Sequence, residues 1–375
     1  MGLNAKKNIL LMGHVDGLGG AQIAYRELID FVKAEGHNLK VINITDDKNG
    51  GRAADASHIL GRIEHKTPGL FDKVKKYRSL LSAAKQAKSF KPDVFVSIGL
   101  SNSSNFITHY LNNNCFKIAQ DFIANRSQKE EIWNKSRSSF NGIAVQAPSM
   151  LTYWQTNLTD ASGLNWLPCF PAPPVNGVLR KKDDNSEKQQ IKLAYFGRLA
   201  GNKGLPLLFN TLATLPDKQN IALHLWGKGE EEANLRKLAA ELNLTGIVTF
   251  KGGYPADREG AELMASYDGL VLTSTEMEGL PLVLLESMAY GLPFMATNIG
   301  AIGDCCIDNP DAVLVEPDQH SISEGLSKLI SHIKAGAFDP ERLKNYYDQN
   351  FSHNVMADRW RTCLNNPKLF FDEVQ

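Results

Sequence analysis

Glu278 and Glu286 stand with seven residues between them in the stretch STEMEGLPLVLLESMAYGLPFMAT, which runs from Ser274 to Thr297. From Gly279 to Gly303 the one formally charged residue is Glu286, set in an apolar run where ionisation is costly unless something answers it. Pro281 suits the first turn of a helix, because its fixed φ fits there and its missing N–H has no partner to lose. That puts Glu278 in the loop ahead of the helix and Glu286 about a turn and a half inside it. Helical side chains lean toward the N-terminus, so both carboxylates can reach a ligand held over the helix start. The start itself, which follows Gly279, Leu280 and Pro281, is expected to offer backbone N–H groups and the positive end of the helix dipole, which suits a phosphate. A sugar nucleotide combines the hydroxyls and the diphosphate that such a site would grip. The alternative is an amphipathic core helix in which Glu286 pairs with an internal arginine.

Further charges lie upstream. In KLAYFGRLAGNKGLPLLF a predicted strand, Leu193 to Phe196, delivers Gly197 and Arg198 at its end, and Lys203-Gly204 opens the next helix. Two cations at a strand end suit a leaving diphosphate, each charge-assisted hydrogen bond being worth about 1.5–3 kcal/mol; two cations in a loop also read as simply solvated. Near the N-terminus the loop GHVDGLGGAQ carries Gly19 and Gly20 between a strand and a helix. This is either a tight turn or a place where backbone amides approach a phosphate. It is not G-x-G-x-x-G, and no acidic residue closes the second strand as a nicotinamide site requires.

These residues need parallel α/β sheets to position them. The first half alternates strand-like and helix-like segments, beginning with Asn8 to Met12, a helix from about Ala21 to Glu35 and HNLKVINI. DVFVSI opens into GLSNSSN, where Ser101, Asn102 and Ser104 would lie beyond a strand's carboxyl end, and CFKIAQ ends at Gln120-Asp121. The prolines of PCFPAPPVNG break regular structure, and the polar run Arg180 to Gln190 reads as a solvated connection. For 375 residues the prior is two domains. The expected boundaries are 1–173, a linker at 174–189, and 190–354, with a closing helix at about 355–375 that crosses back onto the first domain.

Composition narrows the setting. Residues 1–185 hold 24 Lys+Arg against 16 Asp+Glu, a balance of +8, which leaves 17 against 25, or −8, for the rest of a chain whose totals are 41 and 41. The basic half is the one expected to face an anionic surface. Residues 66–91 carry eight Lys or Arg and one acid, Asp72, with Phe71, Val74, Tyr77, Leu81 and Ala84 at helical spacing. Such a helix either lies on an anionic leaflet or packs its apolar stripe on the sheet. No apolar run is long enough to span a membrane, and the N-terminal residues lead straight into a strand rather than reading as a signal peptide. Five cysteines, an odd count without zinc spacing, fit a reduced cytoplasmic setting. No nucleic-acid partner is expected.

With EGLP opening the segment, ESMAYGLP closing it, and G-R-L, a short gap and K-G upstream, the sequence resembles the retaining GT-B glycosyltransferases of family 4. The resemblance implies two Rossmann-like parallel-sheet domains facing across a cleft, the first on the acceptor side and the second binding a UDP- or GDP-sugar. It implies that Glu278 contacts the donor sugar and Glu286 the ribose diol, and that Arg198 and Lys203 meet the diphosphate. Gly19 and Gly20 would approach the phosphates, and Gly253 and Tyr254 would border the base. Glu278, Arg198 and Lys203 are the expected catalytic groups. No metal or further cofactor is expected, since no D-x-D pair stands at a strand end. The acceptor would be a saccharide or a lipid-linked saccharide of the lipopolysaccharide, O-antigen or capsule type, met by a cytoplasmic enzyme that is peripheral on the inner face of the cytoplasmic membrane.

The sequence departs from the family at Gln120, where a histidine usually precedes the aspartate, here Asp121. Glutamine exchanges hydrogen bonds but takes no proton, so His14 and Asp16 are the nearest ionisable candidates on the acceptor side. Asp304 stands where the family often has glutamate. Gln120 is also the support for an alternative reading, a degenerate GT-B protein that acts as a binding or scaffold subunit.

Overall fold

The computed structural model describes residues 6–15, 19–45, 59–64, 69–120, 137–158, 160–181 and 190–372. The chain divides into two units, Met1–Ala172 with His353–Gln375, and Pro173–Ser352.

In the first unit, strands β1 (Asn8–Gly13), β2 (Asn38–Thr45), β3 (Ile59–Glu64), β4 (Val94–Ile98), β5 (Phe116–Gln120), β6 (Gly142–Val145) and β7 (Leu164–Trp166) form one parallel sheet in the order β3-β2-β1-β4-β5-β6-β7. Helices α1 (Gly20–Ala34), α2 (Leu70–Phe90), α3 (Asn102–Thr108) and α4 (Pro148–Asn157) connect the strands. Strands buried on both faces read as continuous apolar runs, as ILLM and VFV do here. The chain reverses direction in the sheet between β1 and β4, where an open α/β sheet leaves room for a ligand.

The second unit repeats the plan. Strands β8 (Ile191–Phe196), β9 (Ile221–Trp226), β10 (Val248–Gly252), β11 (Gly269–Leu272), β12 (Phe294–Thr297) and β13 (Ala312–Val315) lie in the order β10-β9-β8-β11-β12-β13. Its helices are α5 (Leu205–Thr214), α6 (Glu232–Glu241), α7 (Asp257–Ala265), α8 (Leu282–Ala289), α9 (Gln319–Lys334) and α10 (Pro340–Asn350). The reversal now falls between β8 and β11, which carry the Arg198 loop and the Glu278 loop at their carboxyl ends.

Three sequence expectations change here. The polar run after the prolines is not solvated throughout. Arg180 is buried, donates through Nε to the Tyr267 carbonyl at 2.9 Å and pairs with Asp268 at 3.4 Å, so residues 174–181 of the expected linker pack into the second unit. Ser101 and Ser104 follow the carboxyl end of β4 as expected, but with their side chains already engaged. Their hydroxyls form the capping box of α3, with the Ser104 N–H donating to Ser101 Oγ at 3.1 Å. On α2 the apolar stripe is split: Leu80, Ala83, Ala84 and Ala87 are buried, whereas Phe71, Val74 and Tyr77 are 91%, 52% and 55% exposed.

Helices α11 (His353–Asn365) and α12 (Pro367–Asp372) belong to the first unit. Lys7 Nζ donates to the carbonyls of Leu364 and Asn365 at 2.6 and 2.8 Å, satisfying the C-terminal end of α11. The Arg359 guanidinium lies 3.7 Å from the centre of the Trp166 ring, and Arg361 binds Glu35 through two nitrogens. Trp360 is buried and donates its indole N–H to the Pro168 carbonyl at 2.9 Å. Replacing Trp360 with alanine should therefore lower the first unit's stability by about 3–5 kcal/mol. In a urea titration the first unit's transition would move to lower denaturant while that of the second stays put. Among the described residues no helix is long and apolar enough to cross a membrane.

Candidate functional site

The second unit gathers its polar groups at the carboxyl ends of β8, β11 and β12. After β8 the chain turns at Gly197, and the buried Tyr195 hydroxyl donates to the Arg198 carbonyl at 2.7 Å, fixing the loop's backbone. Arg198 reaches outward, its Nη2 2.9 Å from Glu230 Oε1, with both side chains well exposed. A short 3-10 turn, Gly201–Lys203, then leads to Gly204 at φ +64. A side chain at Gly204 would put its Cβ 1.9 Å from the Thr273 carbonyl oxygen, so only glycine lets this turn lie against the β11 exit.

That close approach places Lys203. Its Nζ lies 2.5 Å from Glu278 Oε1, in a pair only 21% and 14% exposed. The same carboxylate oxygen accepts from the Ser274 hydroxyl at 2.8 Å. The backbone of Glu278 is held from the other side, since Ala301 N–H donates to its carbonyl at 3.0 Å. Gly300, at φ +59, again admits no Cβ, because one would sit 2.2 Å from that carbonyl oxygen.

Pro281 is extended and caps α8 rather than forming its first turn, and its carbonyl accepts from Leu284 N–H at 2.9 Å. One turn into the helix, Glu286 is largely buried. Among the described residues no cation and no donor pairs with its carboxylate, so the arginine-paired alternative finds no support. Burial alone pushes its carboxyl up to about 7. Its charge contributes, after burial, to raising the phenols of Tyr254 and Tyr290. Tyr254 itself is pushed up to about 12, and its half-exposed ring meets Phe196 edge-on at 5.3 Å. Gly253 beside it is exposed. Burial raises the Tyr195 phenol strongly, and the charges of Glu278, Tyr254 and Arg198 also act on it, which places these groups in one neighbourhood.

Arg198, Lys203, Tyr254, Glu278 and Glu286 are thus brought together on one unit, with Gly279 and Leu280 leading into α8. Three partners were not singled out from sequence. Glu230 follows the glycine-rich turn after β9, Ser274 precedes Glu278 by four residues, and Tyr195 sits inside an apolar strand. The remaining expected residues lie on the first unit. Gly19 is extended and caps α1 without a side-chain bond, and Gly20 begins the helix, both exposed. His14 lies at the end of β1 and is partly buried. Gln120 is buried and gives its amide nitrogen to the carbonyls of Leu167 and Pro168, at 2.8 and 3.4 Å. Asp16 and Asp121 lie outside the described residues.

Two parallel sheets with the same order and reversal define a GT-B fold, and solved structures share it. Sucrose-phosphate synthase from Thermosynechococcus elongatus is 18% identical with a TM-score of 0.76, over 97% of this chain and 99% of that one. Anabaena HepE, solved in complex with UDP and glucose, is 14% identical with a TM-score of 0.76, over 96% and 100%. Residues 179–346, which lie within the second unit, match the family described as glycosyl transferases group 1. The lipopolysaccharide core biosynthesis glycosyltransferase LpsE of Rhizobium meliloti is 33% identical over 43% of this chain and 44% of its own length. The lipopolysaccharide glucosyltransferase WaaG of Escherichia coli is 28% identical over 47% and 46%. The chain thus matches under half the length of these curated relatives.

Proposed function

We propose that this protein is a retaining glycosyltransferase that moves a sugar from a UDP- or GDP-sugar to a saccharide acceptor, one of the lipid-linked or lipopolysaccharide, O-antigen or capsule precursor type. The observation that carries the reading is Glu286, a largely buried carboxylate with no protein partner among the described residues, one turn inside the helix that follows Glu278. A buried charge without a partner is expensive, so its retention supports a ligand that brings hydroxyl donors to it, as a ribose diol does.

In this reading Glu278 binds the donor sugar, and Arg198, Lys203 and the amides leading into α8 receive the diphosphate. Its negative charge grows as the anomeric C–O bond breaks, and fixed positive groups at that point lower the barrier. The acceptor hydroxyl forms its bond to the anomeric carbon on the face the diphosphate leaves, and the departing phosphate oxygen takes the hydroxyl's proton. No imidazole is needed for that step, which is compatible with glutamine at position 120. The chain's own cations carry the charge, so the reaction is proposed to be metal-independent. Names of relatives that act on lipopolysaccharide support the acceptor class.

The test is binding and donor hydrolysis with a panel of UDP-, GDP- and ADP-sugars. Wild type should be stabilised by one nucleotide class, by about 2.7 kcal/mol at a hundred times its Kd. Glu278→Ala should retain nucleotide binding and lose hydrolysis. No stabilisation by any nucleotide would reject the reading.

The exposed Phe71, Val74 and Tyr77 on α2, among the exposed Lys73, Arg78, Lys85 and Lys88, support a peripheral site on an anionic leaflet at the inner face of the membrane. Each basic residue near such a surface adds about 1 kcal/mol at low salt. The wild type should float with vesicles rich in phosphatidylglycerol and stay behind with neutral ones, and Phe71→Ser with Tyr77→Ser should abolish flotation. Equal flotation on both lipids would remove the membrane from the account.

A further inference from the structure

We propose that Ser274 is the positioning residue that orients Glu278 toward the donor sugar, leaving Glu278 Oε2 as the oxygen that receives a sugar hydroxyl. This rests on the transferase reading above. Two donors converge on Oε1, Lys203 Nζ at 2.5 Å and the Ser274 hydroxyl at 2.8 Å, whereas no donor among the described residues meets Oε2.

The two donors differ in what they can fix. A lysine is a point charge on a flexible stem, and it follows a carboxylate that rotates. Serine has one side-chain torsion to its oxygen and a single proton, and here that proton goes to Oε1. Its backbone is also locked. Ser274 is wholly buried, and its carbonyl accepts from the buried Thr297 hydroxyl at 2.6 Å, at the end of β12. On either side of it, the Thr273 hydroxyl donates to the Lys203 carbonyl at 3.3 Å and Thr275 N–H donates to the Asn202 carbonyl at 3.0 Å. Ser274 therefore transmits the placement of two strand ends and the Lys203 turn to one carboxylate oxygen.

Removing the hydroxyl leaves Lys203 and Glu278 paired and the fold intact, but lets the carboxylate exchange its oxygens. The sugar's share of binding should fall while the nucleotide's share stays. Calorimetric titration with a nucleotide sugar and with the matching nucleoside diphosphate separates the two, and needs no acceptor. For Ser274→Ala the Kd of the nucleotide sugar should rise about tenfold, the loss of one hydrogen bond to a charged group, with that of the diphosphate changed by less than about twofold. Ser274→Thr, which restores the hydroxyl, should recover most of the difference. An unchanged nucleotide-sugar Kd, an equal loss for both ligands, or no recovery with threonine would overturn the assignment. A wild type that binds neither ligand would instead reject the transferase reading, and this inference with it.

Discussion

Lys203→Ala should lower the rate of sugar transfer or donor hydrolysis by about two to three orders of magnitude, with little change in thermal stability. Removing a single group that meets developing negative charge typically has an effect of that size. The lysine is placed for it, on a turn whose Gly204 lies against the β11 exit and whose Nζ reaches Glu278. Its loss acts twice, taking a cation from the leaving diphosphate and leaving the Glu278 carboxylate with Ser274 alone. Lys203→Arg should restore only part of the rate, because a planar guanidinium does not fit the position of a compact ammonium. Steady-state kinetics at saturating donor measure this directly. A loss smaller than about threefold would mean that Lys203 does no more than pair with Glu278.

Glu286→Gln should make the unliganded protein more stable at neutral pH and its nucleotide binding weaker. The carboxyl lies near 7 in the folded state, raised from 4.5 by burial. Between those values the native state holds a proton that the unfolded state has released, so stability falls as pH rises through that window and levels off above it. Glutamine removes the charged form, and the variant's advantage should grow from near zero at pH 4 to on the order of 2–3 kcal/mol at pH 8. Binding moves the other way. Ribose hydroxyls donate to a carboxylate more strongly than to an amide, so the Kd for the preferred nucleoside diphosphate should rise about 10- to 100-fold. Denaturant titrations at several pH values, paired with calorimetry, give both quantities. Higher stability together with weaker binding marks a group kept for its ligand. A variant that is less stable at pH 8 would show instead that Glu286 supports the fold.

Much of the second unit was legible in the sequence. Apolar strand runs, the glycines at their exits and the isolated Glu286 are local features whose consequences follow from short-range chemistry. The first unit was less so. Ser101 and Ser104 sit at a strand's carboxyl end but close a capping box, and Gln120 satisfies carbonyls some forty-odd residues further along the chain. Polar side chains near a strand end serve either purpose, and only their partners distinguish the two. Arg180, read as part of a solvated run, is buried because Asp268 comes to meet it.

The sequence by itself determined the alternating parallel architecture and the two-part organisation, and it singled out the carboxylates and cations that are candidates for the site, since periodicity, residue type and local spacing carry that information. The tertiary structure alone decided which of those groups touch. Lys203 and Glu278 are separated along the chain by α5, β9, α6, β10, α7 and β11, and meet only because β8 and β11 are neighbours in the sheet. It also decided that Phe71, Val74 and Tyr77 remain exposed while the later turns of the same helix are buried, because burial depends on what packs against a face and not on the face's own pattern.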